Sequence, residues 1–321
     1  MLAELAADRV TSGSELARRF GVTRAAVWKQ IERLRASGVQ IVAESGRGYR
    51  LSAPVDLLDQ KTISTEFARR TPARAAPLGG IHVHWRIDST NSELLRLAER
   101  GAPDRLACLA EIQIEGRGRH GRVWHLPLFG GLALSLLKRF DLSIAALAGL
   151  SVAAGVAVVR ALADLGVDRV QLKWPNDIVA GRRKLAGILV ELGGDALGPC
   201  HAVIGVGLNV RLNDTAPLGQ PWIDLATLAS DAVPDRNRLA AALLRRLVDA
   251  LEIFADKGLA AFSADYARYD ALAGKRVRVY GPGTMREGLA RGIDARGALR
   301  VEGDDGEFSV NSGRVSVRGI E

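Results

Sequence analysis

The sequence predicts an α+β protein built from more than one domain. Its 321 residues are more than one hydrophobic core usually organises, because domains hold about 100–200 residues. Hydrophobic residues make up 48% and charged residues 25% of the chain, which excludes disordered, collagen-like and disulfide-scaffold proteins. Helical and strand-like patterns alternate and give way to short strands at the end. The predicted parts are a basic helical domain at 1–53, a connector at 54–80, a mixed α/β domain at 81–272 and a small β-barrel at 273–321.

The charge of the chain suggests polyanionic or phosphate-bearing partners. Lysine and arginine number 44 against 36 aspartates and glutamates, a net charge of +8. Residues 1–53 carry nine basic and five acidic side chains, a net +4, so half of the excess lies in about a sixth of the chain. Abundant arginine also fits a GC-rich genome, so charge alone does not identify the partner.

Cysteine usage and hydropathy predict a cytoplasmic protein without a membrane segment. Cys108 and Cys200 are the two cysteines, which excludes a disulfide framework and a four-thiolate zinc site. We expect both thiols to be buried and inert. No run approaches the roughly 18 uninterrupted apolar residues of a membrane helix, and residues 1–8 lack the basic flank of a signal peptide.

Residues 12–37 predict two helices joined by a glycine turn. Ser12 followed by Glu15 has the spacing of a helix cap, and Gly21 ends that helix. Thr23 caps a second helix at 24–37, whose inward positions repeat with helical spacing at Val27, Ile31 and Leu34. A helix, a glycine turn and a basic helix are typical of a helix-turn-helix DNA-binding unit. The alternative is a small helical interaction module without a DNA role.

A short hairpin after these helices has the position of a DNA-binding wing. Strands at 41–44 and 49–51 flank Ser45-Gly46-Arg47-Gly48, which places a basic residue at the tip. We expect Arg47 and Arg50 to contact phosphates. The outward residues of the second helix are expected to reach base edges in the major groove: Arg24, Ala25, Trp28 and Lys29.

Two strands of the central region end in polar sequences. The strand at 81–87 leads into Asp88-Ser89-Thr90-Asn91, which caps a helix running to Arg100. The strand at 107–113 leads into Gly116-Arg117-Gly118-Arg119-His120-Gly121-Arg122. Glycines let backbone amides approach a ligand, and guanidinium groups bind phosphate or carboxylate in bidentate fashion. The sequence therefore predicts an anion-binding loop at 116–122.

Other interpretations of this arginine loop are weaker or less specific. It has the form G-x-G-x-x-G, but a dinucleotide fold needs a helix directly afterwards, which Val123-Trp124-His125-Leu126-Pro127 does not favour. A P-loop is excluded because G-x-x-x-x-G-K-[ST] does not occur. A mobile basic surface loop remains open for the segment taken alone.

Two lysines lie beside further turns of the central region. A strand at 170–174 ends in Lys173-Trp174-Pro175-Asn176-Asp177, which offers a cation, an amide and a carboxylate together. Lys184 precedes the strand-like run 185–191, and a later strand reaches Gly205-Val206-Gly207-Leu208-Asn209. The chain has only seven lysines, so the placement of Lys173 and Lys184 beside these turns is suggestive.

Taken together, these motifs resemble those of biotin–protein ligases. They occur in the family's order: Ser89-Thr90-Asn91, Gln113 with Gly116–Arg122, Lys173–Asp177 and Lys184–Gly187. The preceding basic helices resemble the bifunctional members that also repress the biotin operon. The resemblance covers nearly the whole chain, and the one local departure is Ile114-Glu115, where small or polar residues are commoner. Lipoate–protein ligases share the catalytic fold but carry an Arg-Arg…His-Asp pattern that is not found here.

The resemblance implies a fold and a function. The fold would be a winged helix-turn-helix, a mixed α/β catalytic domain of the class II synthetase type and an SH3-like barrel. The function would be ATP-dependent activation of biotin to biotinyl-5′-AMP, transfer to a lysine of biotin carboxyl carrier protein, and biotin-responsive binding of operator DNA by an adenylate-bound homodimer. The alternatives are a lipoate-ligase-like enzyme, a ligase whose wing no longer regulates, and a ligand-sensing repressor without catalysis.

The resemblance also implies roles for individual residues, with Lys184, Arg117 and Arg119 as the catalytic cations. Biotin binding is expected from Ser89, Thr90, Asn91, Gln113, Arg117, Gly118, Arg119, Lys184, Gly187, Gly205 and Gly207. ATP binding is expected from Arg119, Arg122, Trp124, Lys173, Asn176, Asp177, Asn209 and Trp222. Asp177 is the candidate ligand of the Mg²⁺ that accompanies ATP. For Trp222 the alternative is an ordinary core or surface aromatic, and His82 with His84 lack a third metal ligand.

The last third of the chain predicts helices followed by a small barrel. The expected helices are 237–256 and 259–272. The expected strands are 275–280, 287–293, 299–302 and 307–317, separated by Gly-Pro-Gly and Asp-Asp-Gly turns.

Overall fold

A computed structural model describes residues 1–5, 9–53, 55–70, 76–212, 220–229, 233–281, 284–313 and 316–319. The chain divides into two compact units, Met1–Leu58 and Asp59–Glu321. The first unit contains the helices α1 (Leu2–Leu5), α2 (Gly13–Phe20) and α3 (Arg24–Ala36), followed by the strands β1 (Ile41–Glu44) and β2 (Gly48–Leu51).

Local sequence determines the helices of the first unit. Ser12 Oγ accepts a hydrogen bond from Glu15 N at 3.1 Å, and Thr23 Oγ1 accepts one from Ala26 N at 3.1 Å, so both predicted N-caps are confirmed. Gly21 ends α2 in the left-handed conformation, with φ of 62°. The residues that α2 and α3 bury together are Leu16, Val27, Ile31 and Leu34. Phe20 is 40% exposed because it lies at the end of α2, where the chain turns.

The second unit is built around a mixed sheet. Its elements up to the last helix are α4 (Gln60–Arg70), β3 (Gly80–Ile87), α5 (Thr90–Glu99), β4 (Leu106–Gln113), β5 (Gly131–Phe140), α6 (Leu150–Ala163), β6 (Gln171–Lys173), β7 (Asp177–Ala180), β8 (Arg183–Gly194), β9 (Cys200–Asn209), α7 (Leu225–Leu228), α8 (Arg236–Lys257) and α9 (Ser263–Tyr269). Within its described part, seven strands pair in the order β3-β4-β5-β9-β8-β7-β6. The pair β3–β4 is parallel, and the other pairs are antiparallel.

Helices cover both faces of this sheet. Leu94 of α5 packs in a cluster with Cys108 and Val203 on one face. On the other face α6 comes so close that a Cβ at Gly155 would lie 2.5 Å from Leu172. The segment Ile144–Ala163, which contains α6, is the one stretch of the described chain long and apolar enough to cross a membrane, and 61% of it is buried inside the protein. Core packing therefore accounts for the apolar character of this segment. The polar residues Ser151 and Arg160 interrupt it, so the sequence contains no uninterrupted apolar run of membrane-spanning length here.

A second, antiparallel sheet ends the chain. Its strands are β10 (Arg276–Gly281), β11 (Thr284–Ile293), β12 (Leu299–Gly303), β13 (Gly306–Val310) and β14 (Ser316–Gly319), in the order β13-β12-β11-β10-β14. Trp174, at the end of β6, is buried in the core of this sheet, and its Nε1 donates to Gly297 O at 2.9 Å. The sheet is therefore anchored beside the β6–β7 turn.

The structure corrects several predicted elements. Within 54–80, where the sequence predicted no helix, α4 forms and buries Ile63 and Phe67 at helical spacing. The predicted helix 259–272 is a 3₁₀ turn followed by α9, and the predicted strand 307–317 is the separate strands β13 and β14, interrupted at Asn311-Ser312-Gly313. The pattern also missed β5 and α6, because both are buried on every side and show no amphipathic period.

Both cysteines are buried, as predicted. Cys108 is 0% exposed on β4, and burial raises the pKa of its thiol to about 12. Cys200 is 4% exposed, and its Sγ donates to Leu142 O at 3.0 Å. Neither thiol is activated for chemistry.

Candidate active site

A floor of glycines on β8 and β9 defines the site. Gly187 and Gly207 are directly paired across these strands. A Cβ at Gly207 would lie 2.3 Å from Trp124 Cε2, and a Cβ at Gly187 would lie 3.2 Å from both Lys184 Nζ and Trp124 Cζ3. The indole of Trp124 therefore rests on the sheet backbone, which only glycine permits at this distance. Trp124 Nε1 is buried, and it has no hydrogen-bond partner among the residues that the structure describes.

An irregularity between β7 and β8 turns Lys184 toward this floor. Side chains alternate along a strand, so Lys184 and Gly187 would ordinarily point to opposite faces. The register shifts between Ile178, which pairs with Ala186, and Val179, which pairs with Lys184, leaving Leu185 as an extra residue. The Lys184 ammonium consequently lies 5.5 Å from the centre of the Trp124 ring.

Three cationic side chains lie around the carboxylate of Asp177. Lys184 Nζ is 2.7 Å from Asp177 Oδ1, and Lys173 is paired with Asp177 across the β6–β7 turn. Burial lowers the pKa of Lys173; Asp177 opposes this shift, whereas Lys184 and Arg318 add to it. Burial likewise lowers the pKa of Arg119, against the opposing effect of Asp177. The site therefore concentrates positive charge that one carboxylate only partly offsets.

Arg119 connects the arginine loop to both sheets. Its Nη1 donates to Asn176 Oδ1 at 3.1 Å. Its Nη2 donates to the carbonyl oxygens of Ser312 and Gly313, the latter at 3.0 Å. The loop between β13 and β14 therefore supplies part of the environment of a predicted catalytic arginine, which no sequence motif indicated.

A chain of polar side chains lies at the start of α5. Gln113 Oε1 accepts from Thr90 N at 2.8 Å and from Thr90 Oγ1 at 3.1 Å. Ser135 Oγ, on the buried strand β5, lies 2.7 Å from Thr90 Oγ1 and 2.5 Å from Asn91 Oδ1. Ser89 is the N-cap of α5: its Oγ accepts a hydrogen bond from Ser92 N, so its hydroxyl hydrogen can still be donated.

The structure does not gather every predicted ligand-binding side chain around the glycine floor. Arg117 Nη2 and Asn91 Nδ2 both donate to Glu191 Oε2 at 2.8 Å. Asn209 is buried, and its Nδ2 donates to Lys184 O and Ile223 O at 3.3 and 3.1 Å. These three side chains are engaged by the protein itself. Sequence reasoning missed Glu191 and Ser135, whose one signal is a polar residue beside an apolar run of a strand.

The remaining predicted residues are Trp222, Gly118, Arg122 and Gly205. Lys184 N donates to Pro221 O at 3.0 Å and Ile223 N donates to Lys184 O at 2.9 Å, which places Trp222 beside the Lys184 backbone. Gly118 N donates to Arg122 O at 2.7 Å, closing the loop, and the Arg122 side chain is exposed. A Cβ at Gly205 would lie 2.2 Å from Asn91 Oδ1, so this glycine provides space for a side chain.

The first unit presents its predicted DNA-contacting residues at the surface. Trp28 is 59% exposed, and the flanking positions Arg24, Ala25 and Lys29 are exposed too. On the hairpin, Arg47 Nη1 and Arg50 Nε lie 2.7 and 2.8 Å from the Glu44 carboxylate. Both hairpin arginines are thus held beside one another.

Comparison with known proteins identifies this arrangement. Residues 83–209 match the Biotin/lipoate A/B protein ligase family, residues 1–50 match an HTH domain family, and residues 273–318 match the Biotin protein ligase C terminal domain. The chain is 38% identical to the bifunctional ligase/repressor BirA of Escherichia coli over 324 aligned positions, covering 100% of this chain and 97% of the relative. The chain belongs to the biotin–protein ligase family.

Further members of the biotin–protein ligase family agree with the fold. The biotin–[acetyl-CoA-carboxylase] ligase of Mycobacterium tuberculosis is 39% identical over 71% of this chain and 85% of its own length. A solved structure of the Aquifex aeolicus biotin protein ligase, in complex with biotin and ATP, has a TM-score of 0.65 at 26% identity and covers 75% of this chain and 99% of that one. The prediction of a biotin–protein ligase joined to a helix-turn-helix domain is confirmed.

Proposed function

We propose that this chain activates biotin with ATP, transfers it to a lysine of biotin carboxyl carrier protein, and represses the biotin operon through its first unit. The observation that carries the ligase proposal is the cluster of Lys184, Lys173 and Arg119 beside the glycine floor under Trp124. The match to a C-terminal domain named for biotin protein ligases favours biotin over lipoate.

The first reaction joins two anions and therefore needs cations. A biotin carboxylate oxygen attacks the α-phosphorus of ATP, an O–P bond forms, and pyrophosphate leaves. Lys184 is proposed to bridge the carboxylate and the α-phosphate, offsetting their repulsion and stabilising charge on the pentacoordinate phosphorus. Asp177, 2.7 Å from Lys184 Nζ, holds the ammonium in place before substrates bind.

The polar start of α5 fits the ureido group of biotin, which presents both donors and an acceptor. Thr90 and Gln113 are proposed to bind it because they are hydrogen-bonded to each other, and Ser89 because its hydroxyl hydrogen can still be donated. The glycine positions Gly118, Gly187, Gly205 and Gly207 let the ligand approach the backbone, with the Trp124 indole against its apolar body.

The nucleotide is proposed to lie toward the second sheet. Arg119, Arg122 and Lys173 would contact the phosphates, with Asn176 beside them. Trp222 would pack on adenine, and Asn209 would act by fastening the segment around Trp222 to β8. The Arg119 bonds to the 312–313 carbonyls make the last loop part of this subsite.

Magnesium is expected to arrive with ATP. The described residues contain no group of three or more His, Cys, Asp and Glu side chains that could hold a metal alone. Mg²⁺ commonly takes one or two carboxylates and completes its shell with substrate phosphates and water, which the lone Asp177 fits. Asp177 is the proposed ligand, and the ion would neutralise phosphate charge.

In the second reaction the carrier lysine amine attacks the acyl carbon of the mixed anhydride. The C–N amide bond forms, the C–O bond to phosphate breaks, and AMP leaves with the proton lost by the amine. The partner supplies the nucleophile, so the enzyme needs none. Water would destroy the anhydride, so closure of the arginine loop and the Trp222 segment over it is proposed.

The finer architecture is also a proposal. We interpret the β1–β2 hairpin as a DNA-binding wing, the second sheet as an SH3-like barrel that supports nucleotide and carrier binding, and the catalytic domain as class II synthetase-like. Domain limits of 1–53, 54–80, 81–272 and 273–321, a cytoplasmic location and an adenylate-dependent homodimer remain predictions. Such a dimer would place two winged helices on a palindromic operator.

Biotin-dependent ATP–pyrophosphate exchange tests the ligase proposal, with lipoate as the control acid. We expect exchange with biotin, none with lipoate, and release of AMP when a purified carrier domain is added. Exchange with lipoate alone would reject the substrate. Biotin binding without AMP release would indicate a purely sensing protein.

Substituting Arg47 with alanine is expected to weaken operator binding about three- to tenfold while leaving biotin adenylation unchanged. A phosphate contact contributes affinity whatever the DNA sequence. Its loss should reduce the slope of log K against log salt concentration by about one. The measurement is DNA titration at several salt concentrations, with biotin and ATP present.

Arg69→Ala is the matched control for this substitution. Arg69 is 70% exposed and pairs with Glu66 three residues before it, as Arg47 is 72% exposed and pairs with Glu44. Arg69→Ala should leave the salt slope as it is. Equal losses of DNA binding and adenylation in Arg47→Ala would contradict the assignment of separate activities.

A further inference from the structure

One carboxylate oxygen, Glu191 Oε2, joins three parts of the site. It accepts from Arg117 Nη2 of the arginine loop and from Asn91 Nδ2 at the start of α5, both at 2.8 Å. Glu191 itself lies on β8, the strand that carries Lys184 and Gly187. Arg117 and Asn91 were both predicted to bind ligand directly, yet each donates to this protein carboxylate.

The arginine loop is closed within itself and fastened from two sides. Gly118 N donates to Arg122 O at 2.7 Å, and Trp124 N donates to Gly116 O at 2.8 Å, so the loop keeps its own shape. Arg119 attaches it to Asn176 and to the 312–313 carbonyls. On the side of α5 the ion pair between Arg117 and Glu191 is one of its attachments.

Glu191 also fixes the polar chain at α5. Asn91 is 3% exposed; its Nδ2 donates to Glu191, and its Oδ1 lies 2.5 Å from Ser135 Oγ. Ser135 in turn contacts Thr90, whose hydroxyl donates to Gln113. Because each hydroxyl has one hydrogen, the orientation of Asn91 determines which acceptors and donors this chain presents.

We propose that Glu191 is a positioning residue that locks the arginine loop to the polar end of α5 and thereby sets the affinity for biotin. Arg117 and Asn91 act through this carboxylate and not as side-chain ligands of the substrate. The inference rests on the proposed function. Beyond the proposed function, it predicts that loss of this carboxylate raises KM for biotin and not KM for ATP. The reason is that Arg119 still attaches the loop on the side where ATP is proposed to bind.

The test measures exchange kinetics for Glu191→Ala, Arg117→Ala and the double variant. We expect each single variant to raise KM for biotin about tenfold, with kcat and KM for ATP within about threefold of the parent. The double variant should be no worse than Glu191→Ala alone, because that change already removes the bond to Arg117. The exchanged pair, Arg117→Glu with Glu191→Arg, should recover only part of the affinity, because it restores the ion pair but not the acceptor for Asn91 Nδ2.

Glu302→Gln serves as the control, since Glu302 is 52% exposed and pairs with Arg291 at 2.6 Å on the second sheet, away from the site. It should leave both KM values unchanged. An unchanged KM for biotin in Glu191→Ala would overturn the proposal. So would an equal rise of both KM values together with a lower melting temperature, because that result indicates a structural role only.

Trypsin cleavage separates this inference from the proposed function. In the absence of substrates, Glu191→Ala should accelerate tryptic cleavage after the loop arginines Arg117, Arg119 and Arg122 by about tenfold. The fragments are assigned by mass spectrometry. This readout requires no catalysis. Faster cleavage with no biotin-dependent exchange in the parent protein would reject the function and keep the attachment. Unchanged cleavage in Glu191→Ala, with normal exchange in the parent protein, would reject the attachment and keep the function.

Discussion

Replacing Lys184 by alanine is expected to slow biotin-dependent ATP–pyrophosphate exchange about a thousandfold, a loss of about 4 kcal/mol of transition-state stabilisation. Its ammonium lies at the glycine floor, 2.7 Å from Asp177 and 5.5 Å from the Trp124 ring. Charge accumulates on phosphorus during adenylation, so a preorganised cation acts mainly on kcat. Alanine also leaves Asp177 without its closest cation, which adds to the repulsion of the substrates.

Three companion measurements interpret this result. Lys184→Met keeps the apolar stem and should be nearly as slow, which would assign the loss to the charge. Lys257→Ala, at the exposed end of α8, should exchange normally. Operator binding by Lys184→Ala should fall less than adenylation does. A loss in exchange smaller than tenfold would mean that Lys173 or Arg119 is the bridging cation instead.

The proposed catalytic cations were accessible to sequence reasoning because each lies next to a turn or glycine. Lys173 ends β6, Lys184 lies at the start of β8, and Arg119 lies in the glycine-rich loop after β4; lysine is also rare in this chain. The bulge that turns Lys184 toward Gly187 was not predictable, since the local sequence gives no indication of which residue of β8 is unpaired. Strand position was therefore predictable, while side-chain direction was not.

Ser135 and Glu191, which hydrogen-bond to predicted site residues, were missed for a physical reason. Ser135 lies on β5, whose buried apolar run contains no alternation that would mark it as functional. Glu191 is 74 positions from Arg117 and 100 from Asn91, so their bonds exist only after the sheet has formed. Local patterns give elements and caps, as Ser12 and Thr23 show, but contacts between distant segments depend on packing.

Alanine at Gly207 is expected to lower kcat/KM for biotin about a hundredfold. The new Cβ would lie 2.3 Å from Trp124 Cε2 and 2.6 Å from Trp124 Nε1, distances that real atoms do not adopt. The indole must therefore move by about an ångström or more, which displaces the surface that faces the ligand; misplacement of that size can cost about a hundredfold in rate. The measurement is exchange kinetics with biotin varied at saturating ATP.

Two variants decide whether the indole is the cause. Gly319→Ala, where a Cβ would meet nothing within 4 Å, should behave as the parent protein. Gly207→Ala combined with Trp124→Leu should be no slower than Trp124→Leu alone, because the smaller side chain leaves room for the methyl group. If the two losses multiplied instead, Gly207 would act on the substrate directly. A parent-like Gly207→Ala would show that the ring yields without consequence, and the glycine floor would then have no role in holding Trp124 over biotin.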